Sequence, residues 1–272
     1  MKEKTIKNSI EISGVGLHSG KVVFLRLSPS DSGGIVFKND KNQTIRPLFS
    51  NVTDLALGTT ISNGLITVKT IEHLMAGIYA CDIDNITIGI QGEEIPILDG
   101  SAKIFIDEIE EIGIKTLDSD KKYLKILKDV EIVEDDKYAK ISPSDDFSID
   151  MTVDFMYGNI HKQHLYWNGQ RETFFARTFC NQKEIDYMWS IGLARGGNLD
   201  NAMVFDENGI INEGGFRMNN EVVNHKTLDC IGDLFTSGYY IKGKVIANKT
   251  GHATNNKLLK KIFEDKNNYI II

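Results

Sequence analysis

His225 and Asp229 stand four residues apart in segment 220–237, and Asp233 follows four further on. If that segment is helical the three share one stripe, because positions three and four apart are neighbours on a helix surface. An imidazole and a carboxylate on one face can hold a divalent cation together. A catalytic zinc takes three protein ligands and leaves a fourth position for water, and His and carboxylate donors serve where no cysteine pair exists. The candidate third ligand is His73 in segment 70–81, whose neighbour Glu72 would then stand beside the metal as a base. A plainer reading stands against this, since a His and an Asp at this spacing occur by chance on many solvated helices. Context favours the metal: Glu72 and Asp229 lie in otherwise apolar stretches, where an unpaired charge is costly. Taken alone, His252 reads as a helix cap or a surface imidazole. Cys81 and Cys230 lie on apolar faces with no adjacent base and read as core, and His161 and His164, in the polar stretch 158–170, read as solvated.

These residues need rigid elements to position them. Segment 70–81 places Ile71, Leu74, Met75, Ile78 and Tyr79 at helical spacing behind Thr70, a residue type that caps helices. A strand at 85–90, a loop at 91–100 and a second helix opened by Ser101 follow. The second half repeats this order, with a helix over 220–237, a strand over 240–247, a loop and a helix over 253–265. Short strands precede each set, at 21–27, 34–38 and 65–69 in the first and at 123–130, 131–133, 138–141 and 148–155 in the second. The expected fold is α+β, two similar domains each with a small sheet packed on helices, a pseudo-duplicated two-layer sandwich with the active site between them. The domains are expected at 1–116 and 122–272, joined through the polar stretch 116–122. An insertion at about 181–206 breaks the repeat with its own helix over 183–191 and a short strand over 202–205. Its apolar residues suit equally a small core of its own or a surface facing a ligand.

The chain has 272 residues, 41% of them hydrophobic and 25% charged, the usage of an ordinary globular protein. Its formal net charge of −7 argues against a nucleic-acid or anionic-membrane binder. Cys81, Cys180 and Cys230 are too far apart for a zinc knuckle and odd in number, which suits a reducing cytoplasm. Residues 1–11 hold no apolar run of a signal peptide, and no 18 apolar residues occur consecutively, so neither export nor a membrane span is expected.

Six segments carry a further inference. They are Gly14-Val15-Gly16-Leu17-His18-Ser19-Gly20, Thr70-Ile71-Glu72-His73-Leu74, Glu94-Ile95-Pro96-Ile97-Leu98-Asp99-Gly100-Ser101-Ala102, Ala176-Arg177-Thr178-Phe179, the run from His225 to Leu234, and Gly251-His252-Ala253-Thr254-Asn255-Asn256-Lys257. In this order and spacing, across nearly the whole chain, they resemble the UDP-3-O-acyl-N-acetylglucosamine deacetylases, zinc amidases of lipid A biosynthesis. The resemblance implies one Zn²⁺ per chain, with Fe²⁺ the alternative in the cell, held by His73, His225 and Asp229. It implies Glu72 as general base, His252 as cationic partner with Asp233 beside it, and Thr178 as the hydroxyl near the developing oxyanion. Lys226, Lys137 and Lys249 resemble the family's contacts to the sugar nucleotide, Phe155 and Phe179 its aromatic wall, and Ile185, Gly197, Ala202 and Val204 its acyl passage. The implied reaction, the committed step of lipid A biosynthesis, hydrolyses the 2-acetamido group of an acylated UDP-sugar to acetate and a free amine, in the cytoplasm and by a monomer.

Two departures from the family pattern stand out. Asn181 occupies a usually aromatic position, and Arg195 lies near the Gly196-Gly197 pair, where its charge would narrow the acyl passage. Two other readings remain open here. One is a binding-only member without catalysis, against which stands the presence of Glu72 and all three ligands. The other is an amidase of the same fold for a different acetamido-sugar.

Overall fold

The structure, a computed structural model, describes residues 1–155 and 160–272. Strands Ile10–Val15, Val22–Pro29 and Ile35–Asn39 precede helix α1 (Glu72–Ala80), strand Ile86–Gln91 and helix α2 (Lys103–Glu111). In the second half, strands Val130–Glu134, Lys137–Ser142 and Phe147–Val153 are followed by an inserted helix α3 (Gln182–Ser190). Helix α4 (Glu221–Phe235), strand Tyr240–Asn248 and helix α5 (His252–Glu264) complete it.

The duplication extends to strand pairing. In the first sheet Ile86–Gln91 lies between Val22–Pro29, antiparallel, and Ile35–Asn39, parallel. In the second, Tyr240–Asn248 lies between Lys137–Ser142, antiparallel, and Phe147–Val153, parallel. Each outer pair is closed by an antiparallel neighbour, Ile10–Val15 and Thr44–Ile45 in one, Val130–Glu134 and Gln163–Trp167 in the other. The α+β expectation is met. Each sheet buries one face because its strands alternate; Val23, Leu25 and Leu27 point inward while Val22, Phe24 and Arg26 are exposed.

The two first helices meet at the centre. All residues of α1 from Glu72 to Ile78 are buried, as is nearly all of α4, so these helices are enclosed on every side. Gly232 makes the approach possible: a Cβ there would stand 2.1 Å from the Glu72 carbonyl oxygen.

Three local expectations are corrected. Thr70 does not cap α1; it has φ +56°, and Ile71 takes the cap position with no side-chain bond. The stretch 116–122 is no bare connector, because Ile114–Asp120 pairs antiparallel with Lys2–Ile6 and the Lys121 ammonium is buried against Asp82 and Asp84. The stretch 158–170 contains the edge strand Gln163–Trp167, where His164 is indeed largely exposed and lies 2.6 Å from Asp150. Positions 158 and 159 lie outside the described residues. Among the described residues no helix is long and apolar enough to cross a membrane.

One buried ion pair fixes the segment that enters the site. The fully buried Glu221 carboxylate accepts from the Arg177 backbone N–H (3.0 Å), its Nε (2.9 Å) and Nη2 (3.1 Å), and from the Arg217 backbone N–H (2.6 Å). Burial opposes its ionisation, but these donors hold its carboxyl below the usual range. Glu221→Ala leaves Arg177 buried without a countercharge, which is expected to cost about 3–5 kcal/mol. A thermal unfolding midpoint equal to the parent's would contradict that assignment.

Candidate active site

The spacing on α4 places His225 and Asp229 on the face toward α1, where His73 meets them. Asp229 Oδ1 lies 3.4 Å from His225 Nε2 and 3.6 Å from His73 Nε2, and one donor atom of each residue falls within 4.8 Å of the others. Asp229 Oδ1 is buried and makes no hydrogen bond among the described residues. His225 Nδ1 lies 3.1 Å from the Ala176 carbonyl oxygen, which can only accept, so Nδ1 carries the proton and the Nε2 lone pair faces Asp229. Burial pushes His225 down to about 4, keeping it neutral. A lone pair facing an orphaned carboxylate oxygen calls for a cation between them. The donor set, two imidazoles and a carboxylate, suits zinc. Burial opposes the Asp229 charge, yet the Lys226 ammonium and the His252 imidazolium help to hold its carboxyl well below the usual range.

Glu72 opens α1 beside this cluster. Its Oε2 accepts from the Thr59 backbone N–H at 2.9 Å, and burial raises its pKa, an effect that the neighbouring His252 cation opposes. Across from it His252, the first residue of α5, donates Nδ1–H to Asp233 Oδ2 at 2.9 Å. Asn255 holds the same oxygen at 2.8 Å, and the Thr59 hydroxyl donates to Asp233 Oδ1 at 2.6 Å. Burial disfavours the His252 cation, but the Asp233 carboxylate and the other acids outweigh it and lift the imidazole to about 9. The buried Glu72 carboxylate and the partly buried His252 imidazolium therefore stand beside the candidate metal ligands.

A cavity of about 340 Å³ adjoins the chamber. Ile185, Gly197, Ala202 and Val204 line it, together with Thr178 and Phe179. Its far wall is the first-half loop carrying Leu17 and His18, zipped to the insertion by Gly196 N–H to Leu17 O at 2.9 Å. Gly196 permits the contact, since a Cβ there would stand 2.3 Å from Gly16 O. The insertion's apolar residues thus face a cavity in addition to packing among themselves. Phe155 and Phe179 form an edge-to-face pair with centroids 5.1 Å apart, and Phe179 also stands against His225. Arg195 does not line the cavity; its guanidinium lies over Gly192, so the expected narrowing is absent. Asn181 caps α3 in a capping box with Glu184, work that an aromatic residue there could not do.

The three lysines are placed unequally. Lys226 Nζ is bonded to Asp229 Oδ2 at 2.8 Å, and Lys249 pairs with Asp136 (3.1 Å) and Asp154 (3.2 Å). Lys137 is exposed at the start of its strand. The sequence reasoning missed Thr59 and Asn255 as supports of Glu72 and Asp233, and His18, whose Nε2 donates to Leu57 O at 3.0 Å. Thr59 and His18 lie in loops where no periodicity signals a partner; Asn255, three residues beyond His252 on a helix, had that signal.

The chain is similar to known proteins over nearly its whole length. The family model described as LpxC, UDP-3-O-acyl N-acetylglycosamine deacetylase, matches residues 3–264. A UDP-3-O-acyl-N-acetylglucosamine deacetylase of Nautilia profundicola is 42% identical over 269 residues, 96% of this chain and 92% of that protein. Proteins of the same name from Nitratiruptor sp. and Helicobacter pylori are 39% and 40% identical, each over 100% of this chain and over 94% and 95% of their own lengths. With a family model covering nearly every residue and relatives matched end to end, the chain belongs to the UDP-3-O-acyl-N-acetylglucosamine deacetylase family.

Proposed function

We propose that the protein is a zinc-dependent deacetylase that hydrolyses the 2-acetamido group of a UDP-3-O-acyl-N-acetylglucosamine, the committed step of lipid A biosynthesis, as a cytoplasmic monomer. The observation that carries this reading is the orphaned Asp229 Oδ1 facing the imidazoles of His225 and His73 beside the buried Glu72. Held by these three, zinc would supply a strongly acidified water and a Lewis acid for the acetyl carbonyl. Glu72, oriented by the Thr59 N–H, removes the proton of the attacking water. His252, held cationic by Asp233, faces the charge that develops as the carbonyl becomes tetrahedral, and the Thr178 hydroxyl at the cavity mouth is its neutral counterpart. The amine leaves after a proton reaches it, from His252 or from the proton that Glu72 took. Phe155, Phe179, Lys226, Lys137 and Lys249 form the sugar-nucleotide side of the site, the ammonium of Lys249 exchanging an aspartate for the ligand. Ile185, Gly197, Ala202 and Val204 hold the acyl chain. Acetate release from a panel of acylated and non-acylated acetamido-sugar nucleotides tests the reading. Release from the acylated UDP-sugar supports it, and release only from another acetamido-sugar overturns it.

The charge of His252 sets an expected pH dependence. Its imidazole is raised from 6.5 to about 9, so the cation persists at neutral pH and its ionic pairing with Asp233 is lost as pH rises through about 9. The alkaline limb of kcat/KM should therefore fall near 9 as an apparent value of the coupled site, with Glu72 or the water on the acid limb. His252→Gln should lower turnover at neutral pH and remove the alkaline limb. Near-parent turnover with an unchanged profile would assign His252 to helix capping alone.

A further inference from the structure

A second cleft, of about 370 Å³, opens where the two halves meet, and no part of the deacetylase reading uses it. Its floor is apolar: Met75 of α1, Phe235 of α4 and Ile35 are all buried. Its rim is charged, and the balance of that charge is informative. The two carboxylates are already satisfied. Glu3 accepts from Asn85 Nδ2 at 2.8 Å and from the Ser119 hydroxyl at 3.0 Å; Asp84 accepts from the Lys4 backbone N–H at 2.8 Å and pairs with Lys121 at 3.2 Å. The two cations are not. Among the described residues, Arg46 and Lys122 have no carboxylate partner, and the Tyr239 hydroxyl has no hydrogen-bond partner. Arg46 is also positioned, because its guanidinium lies against the backbone of Gly34, where a Cβ would stand 2.7 Å from Nη2.

We infer that this cleft binds an organic phosphate monoester, the phosphate held by Arg46 and Lys122 with the Tyr239 hydroxyl, and the apolar body seated on Met75 and Phe235. A guanidinium fork and an ammonium without countercharges match a dianion, and charge-assisted bonds of this kind are about twice as strong as neutral ones. The seat bears on the helices that carry the active site. Met75 follows His73 by two residues, Phe235 follows Asp233 by two, and the cleft wall at Leu48 leads into Phe49, whose N–H donates to Thr236 O at 2.8 Å. Both halves contribute, so an occupant spans their junction.

Phenyl phosphate is a suitable probe, carrying a dianion and an apolar ring, and calorimetric titration reads its binding. Saturable binding with a Kd of about 1 mM or tighter is expected. Arg46→Ala with Lys122→Ala should weaken it by about tenfold or more, each cation contributing charge-assisted bonds. Both side chains are exposed at the rim, so the double variant should keep the parent's melting midpoint; if it does not, Tyr239→Phe, with a smaller loss, serves in its place. His225→Ala separates this cleft from the catalytic chamber and should bind the probe as the parent does. No saturable binding, equal binding by the cleft variants, or loss confined to His225→Ala would each overturn the inference.

Discussion

Glu72→Ala should retain its metal and lose turnover by about 10²–10⁴-fold, the usual worth of a positioned general base. The expectation follows from where the carboxylate points. Its Oε2 is taken by the Thr59 N–H, and the three metal donors that converge are His73, His225 and Asp229, with Glu72 outside that set. Burial raises its pKa, which makes it a stronger proton acceptor than an exposed glutamate, and the neighbouring His252 cation opposes that rise. Glu72→Gln is the closer isostere and should behave alike. Elemental analysis beside single-turnover kinetics separates the roles. If Glu72→Ala lost its metal as completely as His225→Ala, Glu72 would be a ligand.

The second large effect concerns the acyl chain. Each methylene buried in the 340 Å³ cavity contributes about 0.8 kcal/mol, so five of them correspond to ~4 kcal/mol, about a thousandfold in kcat/KM. Part of this should appear in kcat, since remote binding energy can orient the acetyl carbonyl at the metal. UDP-N-acetylglucosamine without its acyl chain should therefore be a substrate poorer by several orders of magnitude. Gly197→Gln sharpens the test. A Cβ at Gly197 meets Ala194 O and Leu17 Cδ1 at 3.4 Å, ordinary contact, so the backbone tolerates it and the longer polar side chain consumes cavity volume. The variant should lose activity on the acylated substrate and keep it on the non-acylated one. Equal kcat/KM for the two substrates in the parent protein would refute the acyl role of the cavity.

Much of the site was legible because it lies on helices. The four-residue spacing of His225, Asp229 and Asp233 fixes one face of α4, and an ionised Glu72 in an apolar segment already signals a partner. The repeat of helix, strand, loop and helix foretold that α1 and α4 would meet. The rest depends on contacts between distant segments. Thr59 reaches Asp233 across 174 positions, and nothing in its neighbours announces the bond. Gln163–Trp167 was hidden for another reason: as an edge strand it exposes alternate residues and carries His164 and Tyr166 outward, so its composition resembles a loop. The 116–122 stretch misled likewise, because its strand pairs with the N-terminal Lys2–Ile6 and exposes nearly every side chain except Leu117.

The claim on which all the chemistry rests is that His73, His225 and Asp229 form a metal centre. Its most direct test is the metal content of protein purified without chelator, measured beside His225→Ala and Asp229→Ala. The account predicts about one zinc per chain in the parent, three donors on two enclosed helices being preorganised for it, and strongly reduced retention in both variants. Parent protein with no stoichiometric metal and no response of its activity to added zinc would contradict it.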